Sequence, residues 1–134
     1  MKGGTPYDRH TYRYTPLLAY MMIPNITMLH SFGKFMFCFS DIWASYILQK
    51  ILKKTTKFSA EKIDGLVLIW ALNPLIVNVS TRGNADTMVG LMVVGVLNML
   101  LDERYKSAAF LYGFVVHFKI YPIIYALPMY FWID

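Results

Sequence analysis

Residues 87–101 read Thr-Met-Val-Gly-Leu-Met-Val-Val-Gly-Val-Leu-Asn-Met-Leu-Leu, without a charged residue, and this run decides the fold class. Its apolar residues are continuous rather than alternating, which argues against a strand of the barrel kind. Backbone amides in hydrocarbon have no water partner, so a segment there must satisfy its own hydrogen bonds as a helix. The run therefore predicts a membrane-embedded helix.

Similar apolar runs lie on both sides of this segment. The chain of 134 residues is 57% hydrophobic and 16% charged, whereas soluble domains are about 45–50% apolar and about 25% charged. This composition excludes intrinsic disorder and argues against an ordinary soluble domain. Since each crossing needs about 20 residues, the length allows four or five. We predict spans over 32–52, 63–79, 87–101 and 107–133.

The ends of the chain give less regular signals. Residues 1–31 predict a luminal loop and an interfacial helix, because the apolar run 17–29 is short and is broken by Pro24. Pro74 and Pro122 predict kinks or helix ends, so 107–133 is either one long span or a span with a re-entrant piece. We predict an all-α, polytopic membrane protein with one domain over 1–134.

The orientation follows from a basic loop. Five lysines between residues 50 and 62 favour a cytoplasmic position there. Counting crossings then places 80–86 and 117–122 on the luminal side, with the N-terminal stretch. The net charge is +5, but the cations lie between apolar runs, which indicates membrane topology rather than a nucleic-acid surface.

Three polar clusters fall on that luminal face. Charged groups near hydrocarbon are expensive, so retained ones are functional candidates. Arginine grips phosphate oxygens in bidentate fashion and lysine acts as a point charge, so the clusters fit a phosphate-bearing lipid. Their members are Arg9, His10 and Arg13; Arg82, Asn84 and Asp86; and His117 and Lys119.

Each cluster also has a purely structural interpretation. Arg9 and Arg13 can be a solvated flank, and Arg82 can pair with Asp86 across a tight turn. The other two cations, at 117 and 119, point in different directions on a helix and can simply reach the interface.

Two further groups lie inside an apolar run. Lys34 and Asp41 are seven residues apart on one helical face and can pair in the bundle interior. The histidines show no metal-ligand spacing, so we expect no metal site and no cofactor: His10, His30 and His117. Two glycosylation sequons begin at Asn25 and Asn78, against or inside apolar segments, and we expect neither to be used.

Seven short motifs follow one another along the chain. They are TPY at 5–7, TYRYTPLL at 11–18, FGKF at 32–35, WALNP at 70–74, STRGNAD at 80–86, YGF at 112–114 and HFKIYP at 117–122. In this order and spacing, they resemble the catalytic subunit family of GPI mannosyltransferase I. The resemblance extends over essentially the whole chain.

The resemblance implies a multi-pass endoplasmic-reticulum glycosyltransferase of the GT-C class, with this chain as part of that fold. It implies transfer of the first mannose, in α1,4 linkage, from dolichyl phosphate mannose to glucosaminyl-(acyl)phosphatidylinositol on the luminal face. A carboxylate base and cations around the leaving phosphate are expected, as is a small accessory membrane subunit. The expected donor or phosphate contacts are Arg9, Arg13, Arg82, Asn84, Asp86, His117 and Lys119.

The chain departs from the family at one point. The family carries an Asp-x-Asp motif after an initial span, and neither is present here. We therefore expect the base upstream of Met1, and a donor-positioning role rather than catalysis for Asp86. The chain is interpreted as an internal fragment that is inactive alone.

Two other classes remain as alternatives. A small transporter or channel would use Lys34, Asp41, His117 and Lys119 as a polar path, but paired repeats, common in transporters, are not found. A non-catalytic assembly subunit would need no luminal cluster of Arg, Asp and His. The enzyme interpretation is therefore preferred.

Overall fold

The computed structural model describes Asp8 and residues 15–133. All the regular secondary structure within residues 15–133 is helical. The all-α prediction is therefore confirmed. The elements are α1 (Pro16–Met21), α2 (Pro24–Thr27), α3 (Phe32–Thr55), α4 (Ala60–Ala71), α5 (Pro74–Thr81), α6 (Asp86–Leu101), α7 (Tyr105–Phe118), a 3₁₀ helix (Tyr121–Tyr125) and α8 (Ala126–Ile133).

Helix α6 is the centre of the bundle. It packs against α3 on one side and α7 on the other. Its Val89 and Val96 are completely shielded from solvent, and Phe37 of α3 and Phe118 of α7 belong to the same core. The segment that decided the fold class from sequence is thus the helix around which the others are arranged.

The predicted span 63–79 is broken in the middle. Helices α4 and α5 are bent by 49° at the junction before Pro74. Proline has no N–H and ends the first helix, while the backbone N–H of Leu75 donates to Oδ1 of Asn73 at 2.9 Å and caps the second. The predicted kink at Pro74 is confirmed.

The predicted span 107–133 is also interrupted. Helix α7 ends at Phe118, and Lys119 is extended (φ −151°, ψ 129°). A 3₁₀ helix containing Pro122 follows, and the Tyr112 hydroxyl donates to the carbonyl oxygens of Pro122 and Ile123 at 3.1 and 3.2 Å. The run is therefore two α-helices joined by a tightly held break.

The helices within residues 15–133 can be compared with the length and hydropathy that a membrane span needs. No individual helix there is both long and apolar enough, whereas the bent pair α4–α5 passes as a unit. The four predicted spans stay a prediction.

The N-terminal helices are held against α3 through one amide. The backbone N–H of Gly33 donates to Oδ1 of Asn25 at 2.8 Å, and Nδ2 of Asn25 lies 3.5 Å from Sδ of Met22. A Cβ on Gly33 would lie 2.8 Å from that sulfur, so any larger residue would require the Met22 side chain to shift. The first sequon asparagine is thus already engaged in packing, and its lack of glycan stays a prediction.

Candidate functional site

An ion pair joins two of the predicted site residues. Nζ of Lys119, just past the end of α7, contacts Oδ1 of Asp86, the first residue of α6. The two residues are 33 positions apart and meet because α6 and α7 pack side by side. Each side chain is about one third exposed, at 31% and 36%.

This pairing changes the interpretation of the turn before α6. Asp86 pairs with Lys119 instead of Arg82, so the alternative of a structural pair across the turn is not found. Arg82 is exposed, and its guanidinium forms no ion pair within the described part of the chain. The turn itself is shaped by Gly83, at φ +83°, and by Asn84, whose Oδ1 accepts from the backbone N–H of Asp86 at 3.1 Å.

The turn borders an open cavity of about 730 Å³. Its polar side chains are Asn78, Arg82 and Asn84, and they stand against an apolar remainder: Leu18, Met22, Phe37, Leu75, Val79 and Ala85. A cation at the edge of an apolar cavity suits an amphipathic ligand with an anionic group.

A second, narrower cleft lies on the other side of the same turn. It holds about 260 Å³ between α3, α4, α5 and α6, and its lining is almost entirely apolar. Asp41, Asp86 and Thr87 are its polar members. Leu75 and Val79 of α5 border both spaces, so the two cavities share one wall.

Lys34 and Asp41 do not pair with each other. The carboxylate of Asp41 instead lies near Ser80 at the end of α5, whose hydroxyl donates to the carbonyl oxygens of Ile76 and Val77 at 3.4 and 3.1 Å. Lys34 lies beside the turn instead, since its Cγ is 3.8 Å from the position that a Cβ on Gly83 would occupy. The alternative of an interior pair is therefore not found, and the side chain of Lys34, which was not counted among the phosphate contacts, lies beside the turn that carries Arg82.

Sequence reasoning also missed Asn78 as a cavity residue. Its only signal was the sequon, which draws attention to glycosylation. Asn78 is on α5, four residues before Arg82, which directly follows that helix. Residues four apart lie on the same helical face, so this spacing predicts that both border the same cavity.

The remaining candidates are not brought to this turn. His117 is exposed in the last turn of α7, and among residues 15–133 no hydrogen bond or ion pair links its side chain to 82–86. The residues of the transport alternative do not form one polar path. Asp41 lies near Ser80, Lys34 lies near Gly83, and Lys119 pairs with Asp86. Arg9, His10 and Arg13 lie outside the described residues.

The opposite end of the bundle carries its own charged cluster. Nζ of Lys54 contacts Oδ1 of Asp102 and lies 3.1 Å from Oδ1 of Asn98. The hydrogen bond from Lys54 lowers the pKa of Asp102. Nearby, Nε2 of Gln49 donates to Asp64 at 2.6 Å and ties α3 to α4. These contacts involve the predicted cytoplasmic lysine loop.

The chain is 46% identical over 135 residues to GPI mannosyltransferase 1 of Dictyostelium discoideum, with all of this chain and 30% of that protein covered. This chain is homologous to part of GPI mannosyltransferase 1. The Saccharomyces cerevisiae enzyme is 41% identical over 133 residues, covering 96% of this chain and 32% of that protein. The Trypanosoma brucei brucei enzyme is 44% identical over 128 residues, covering 95% and 29%.

The chain thus spans about 30% of the length of these curated GPI mannosyltransferase 1 relatives. A family model described as Mannosyltransferase (PIG-M) matches residues 79–134. That match includes the turn at 82–86 and both partners of the ion pair. No solved structure matches this chain.

Proposed function

We propose that this chain works within a GPI mannosyltransferase. The enzyme transfers the first mannose, in α1,4 linkage, from dolichyl phosphate mannose to glucosaminyl-(acyl)phosphatidylinositol. The similarity of the whole chain to relatives with this name supports the proposal. The reaction takes place at the luminal face of a multi-pass endoplasmic-reticulum membrane protein with a partial GT-C fold in this segment.

The observation that carries the proposal is the position of Arg82 at the edge of a cavity that has both polar and apolar walls. A dolichyl-linked sugar phosphate combines an anionic phosphodiester with a long hydrocarbon chain. An arginine can bind two phosphate oxygens at once. The apolar lining and the neighbouring cleft offer surfaces that hydrocarbon can cover without loss of hydrogen bonds.

In the reaction, the acceptor hydroxyl oxygen attacks the anomeric carbon of mannose. A carboxylate base takes the hydroxyl proton, the bond from that carbon to the phosphate oxygen breaks, and dolichyl phosphate leaves as an anion. Arg82, with Lys34 beside the same turn, stabilises the charge that develops on the leaving phosphate. Asp86 is engaged with Lys119, which suits a positioning role, and the base comes from another part of the enzyme.

The exposed apolar surface fits the membrane setting. Helix α3 presents large hydrophobic side chains along one side: Phe35, Phe39, Ile42, Trp43 and Tyr46. Helix α8 does the same with Leu127, Tyr130, Phe131 and Trp132. Apolar patches of this extent need lipid or protein cover. Membrane lipid, the remaining helices of the enzyme and a small accessory membrane subunit supply it in this proposal.

The test compares two exposed arginines at opposite ends of the bundle. The complete gene product that contains this chain is expressed in cells lacking their own GPI mannosyltransferase 1, and mannose transfer is measured in microsomes. Arg82→Ala should lose on the order of 100-fold in activity, as expected when a charge-stabilising group is removed. Arg104→Ala, in the turn before α7, is the matched control and should stay within about twofold.

Two outcomes would contradict this function. One is the absence of mannosylated glycolipid with the unsubstituted protein at normal expression. The other is an equal activity of the two arginine variants, which would leave Arg82 without a specific role.

A further inference from the structure

We propose that Lys119 is a positioning residue, which acts through Asp86 to hold the turn that carries Arg82; this rests on the function proposed above. Lys119 was expected among the phosphate contacts. The geometry assigns it instead to the carboxylate of Asp86.

The pair acts at the wall between the two cavities. Ala85, only 3% exposed, lines the larger cavity, and Asp86, the next residue, lines the narrow cleft. A displacement of Asp86 therefore moves the surfaces of both spaces. It also moves the turn that places Arg82.

Backbone hydrogen bonds restrain this turn from its own neighbourhood in sequence. The backbone N–H of Gly83 donates to the Ser80 carbonyl at 2.9 Å, and that of Asn84 donates to the Val79 carbonyl at 3.2 Å. These bonds tie the turn to α5. The ion pair with Lys119 ties the turn to α7, and among residues 15–133 the backbone hydrogen bonds of the turn do not reach that helix.

Lys119 is itself well anchored for this task. Its backbone N–H donates to the Val115 carbonyl at 2.9 Å, the last bond of α7. The preceding Phe118 is buried in the core. Its ammonium also lies 5.5 Å from the ring centroid of Tyr121, a favourable cation–π distance. The backbone of Lys119 is thus fixed by the end of α7, and its ammonium is held by the carboxylate of Asp86 and the ring of Tyr121.

The charge balance also argues against a direct phosphate contact. A lysine paired with an aspartate contributes no net charge to attract an anion. If Lys119 left Asp86 for the phosphate, the carboxylate would remain unpaired near the same negative group, and like charges disfavour that state. Arg82 and Lys34 carry no such partner in the described residues and are better placed to bind the anion.

The pair contributes little to global stability, because both side chains are partly exposed and screened by solvent. A loss of activity can therefore be separated from a loss of fold. This makes the residue testable by kinetics.

The experiment uses the complete gene product in microsomes, with dolichyl phosphate mannose as the varied substrate. Lys119→Ala should lower kcat by about tenfold to a hundredfold, since misplacing a reacting group costs this much. KM for the donor should change by less than about threefold, because binding groups are retained. Lys119→Arg keeps the ion pair and should retain most of the activity. Lys54→Ala, which breaks the other lysine–aspartate pair, should leave both constants unchanged.

A double-mutant cycle tests whether Lys119 acts through Asp86. Asp86→Asn alone should lower kcat by a similar factor, and the double variant with Lys119→Ala should lose no more than either alone. Protein amount and thermal unfolding in detergent are measured for each variant. If Lys119→Ala does not accumulate, Lys119→Met, with a side chain of similar length, takes its place.

Three results would overturn the proposal: an unchanged kcat in Lys119→Ala, additive losses in the cycle, or a higher donor KM with unchanged kcat. The last would make Lys119 a direct donor contact. Arg82→Ala separates this inference from the function it rests on. If Arg82→Ala is inactive while Lys119→Ala is active, only the positioning role fails; if Arg82→Ala is fully active, the proposed function itself fails.

Discussion

The two ends of this helical bundle are each closed by a lysine–aspartate pair, in very different surroundings. Lys54, in the last turn of α3, meets Asp102 at the end of α6, with Asn98 as the neighbouring polar group. Asp86 lines the apolar cleft and follows Ala85, which lines the open cavity, and Lys119 reaches Asp86 from the end of α7. Their side-chain exposures are similar, at 40% and 36% against 31% and 36%. The ion pair alone therefore does not identify a functional site. A space of about 410 Å³ also adjoins the turn after Asp102, but it is bordered by Glu103, Arg104 and neighbouring surface residues, whereas the spaces beside Asp86 combine polar groups with an apolar wall between helices.

The turns at the two ends also differ in the residue type that adopts a positive φ. Each contains one residue with a positive φ: Gly83 at φ +83° next to the cavity, and Glu103 at φ +57° at the other end. A residue with a side chain costs about 1–2 kcal/mol in this conformation. The cavity turn avoids this strain through glycine, while the opposite turn carries it.

The largest effect is expected from Gly83→Val. A β-branched residue at this φ should cost about 1–3 kcal/mol in the free energy of unfolding. The nearest atom, Cγ of Lys34, leaves ordinary van der Waals room, so the cost comes from the backbone. Because the turn carries Arg82, mannose transfer should fall more than about tenfold.

Thermal unfolding in detergent and the microsomal assay measure these two changes. Gly65→Ala, in α4 with open space around its Cβ, is the control and should be neutral or slightly stabilising. A Gly83→Val variant as stable and active as the control would remove the distinction between the turns.

A smaller effect of opposite sign is expected from Glu103→Gly. Relief of left-handed strain, less the greater chain entropy of glycine, leaves a gain of about 0.5–1 kcal/mol in the free energy of unfolding. Mannose transfer should not change, since this turn borders neither cavity. Chemical unfolding in detergent measures the gain, and Glu103→Asn should give an intermediate value, since asparagine tolerates this region better than glutamate does. A loss of stability would show that Glu103 makes compensating contacts.

The smallest effect concerns the pH dependence of the Lys54–Asp102 pair. Lys54 lowers the pKa of Asp102 in the folded protein, so the folded state favours the ionised carboxylate. The resulting stability is present above the ordinary pKa of the carboxyl group and is lost as the pH falls through the lower pKa of the folded state.

The melting temperatures of the unsubstituted protein and of Lys54→Ala should therefore differ slightly at pH 7 and converge as the pH falls below the ordinary pKa of the carboxyl group. High salt should also reduce the difference, because both groups are exposed. A difference that persists at low pH would mean that Lys54 stabilises the bundle by packing instead of charge.

The sequence predicts features that depend on local chemistry. The helical class follows from continuous apolar runs, and the break before Pro74 follows from a missing N–H group. Counting crossings also places Asp86 and Lys119 on one face. Their direct contact is not readable in this way, because it depends on α7 ending at Phe118 and on Lys119 being extended.

Lys34 illustrates the limit of helical spacing as a guide. A separation of seven residues puts it on the same face as Asp41, and that pair was expected. The packing of α3 against the turn before α6 instead places Lys34 beside Gly83, and Asp41 beside Ser80. The whole interface between two helices decides which of their residues meet. The spacing of residues along one helix does not predict this.

The bend before Pro74 has a geometric consequence for both cavities. Helix α5 has 8 residues and is about 12 Å long. A tilt of 49° moves its far end sideways by about 9 Å, close to the spacing of about 8–10 Å between packed helices. Straightening the bend would move the far end of α5 by about one helix position and take Val79 away from both spaces, while Leu75 stays close to the hinge. The backbone bend at Asn73–Pro74 thus shapes the two cavities, and the side chains that line them determine which ligand chemistry fits.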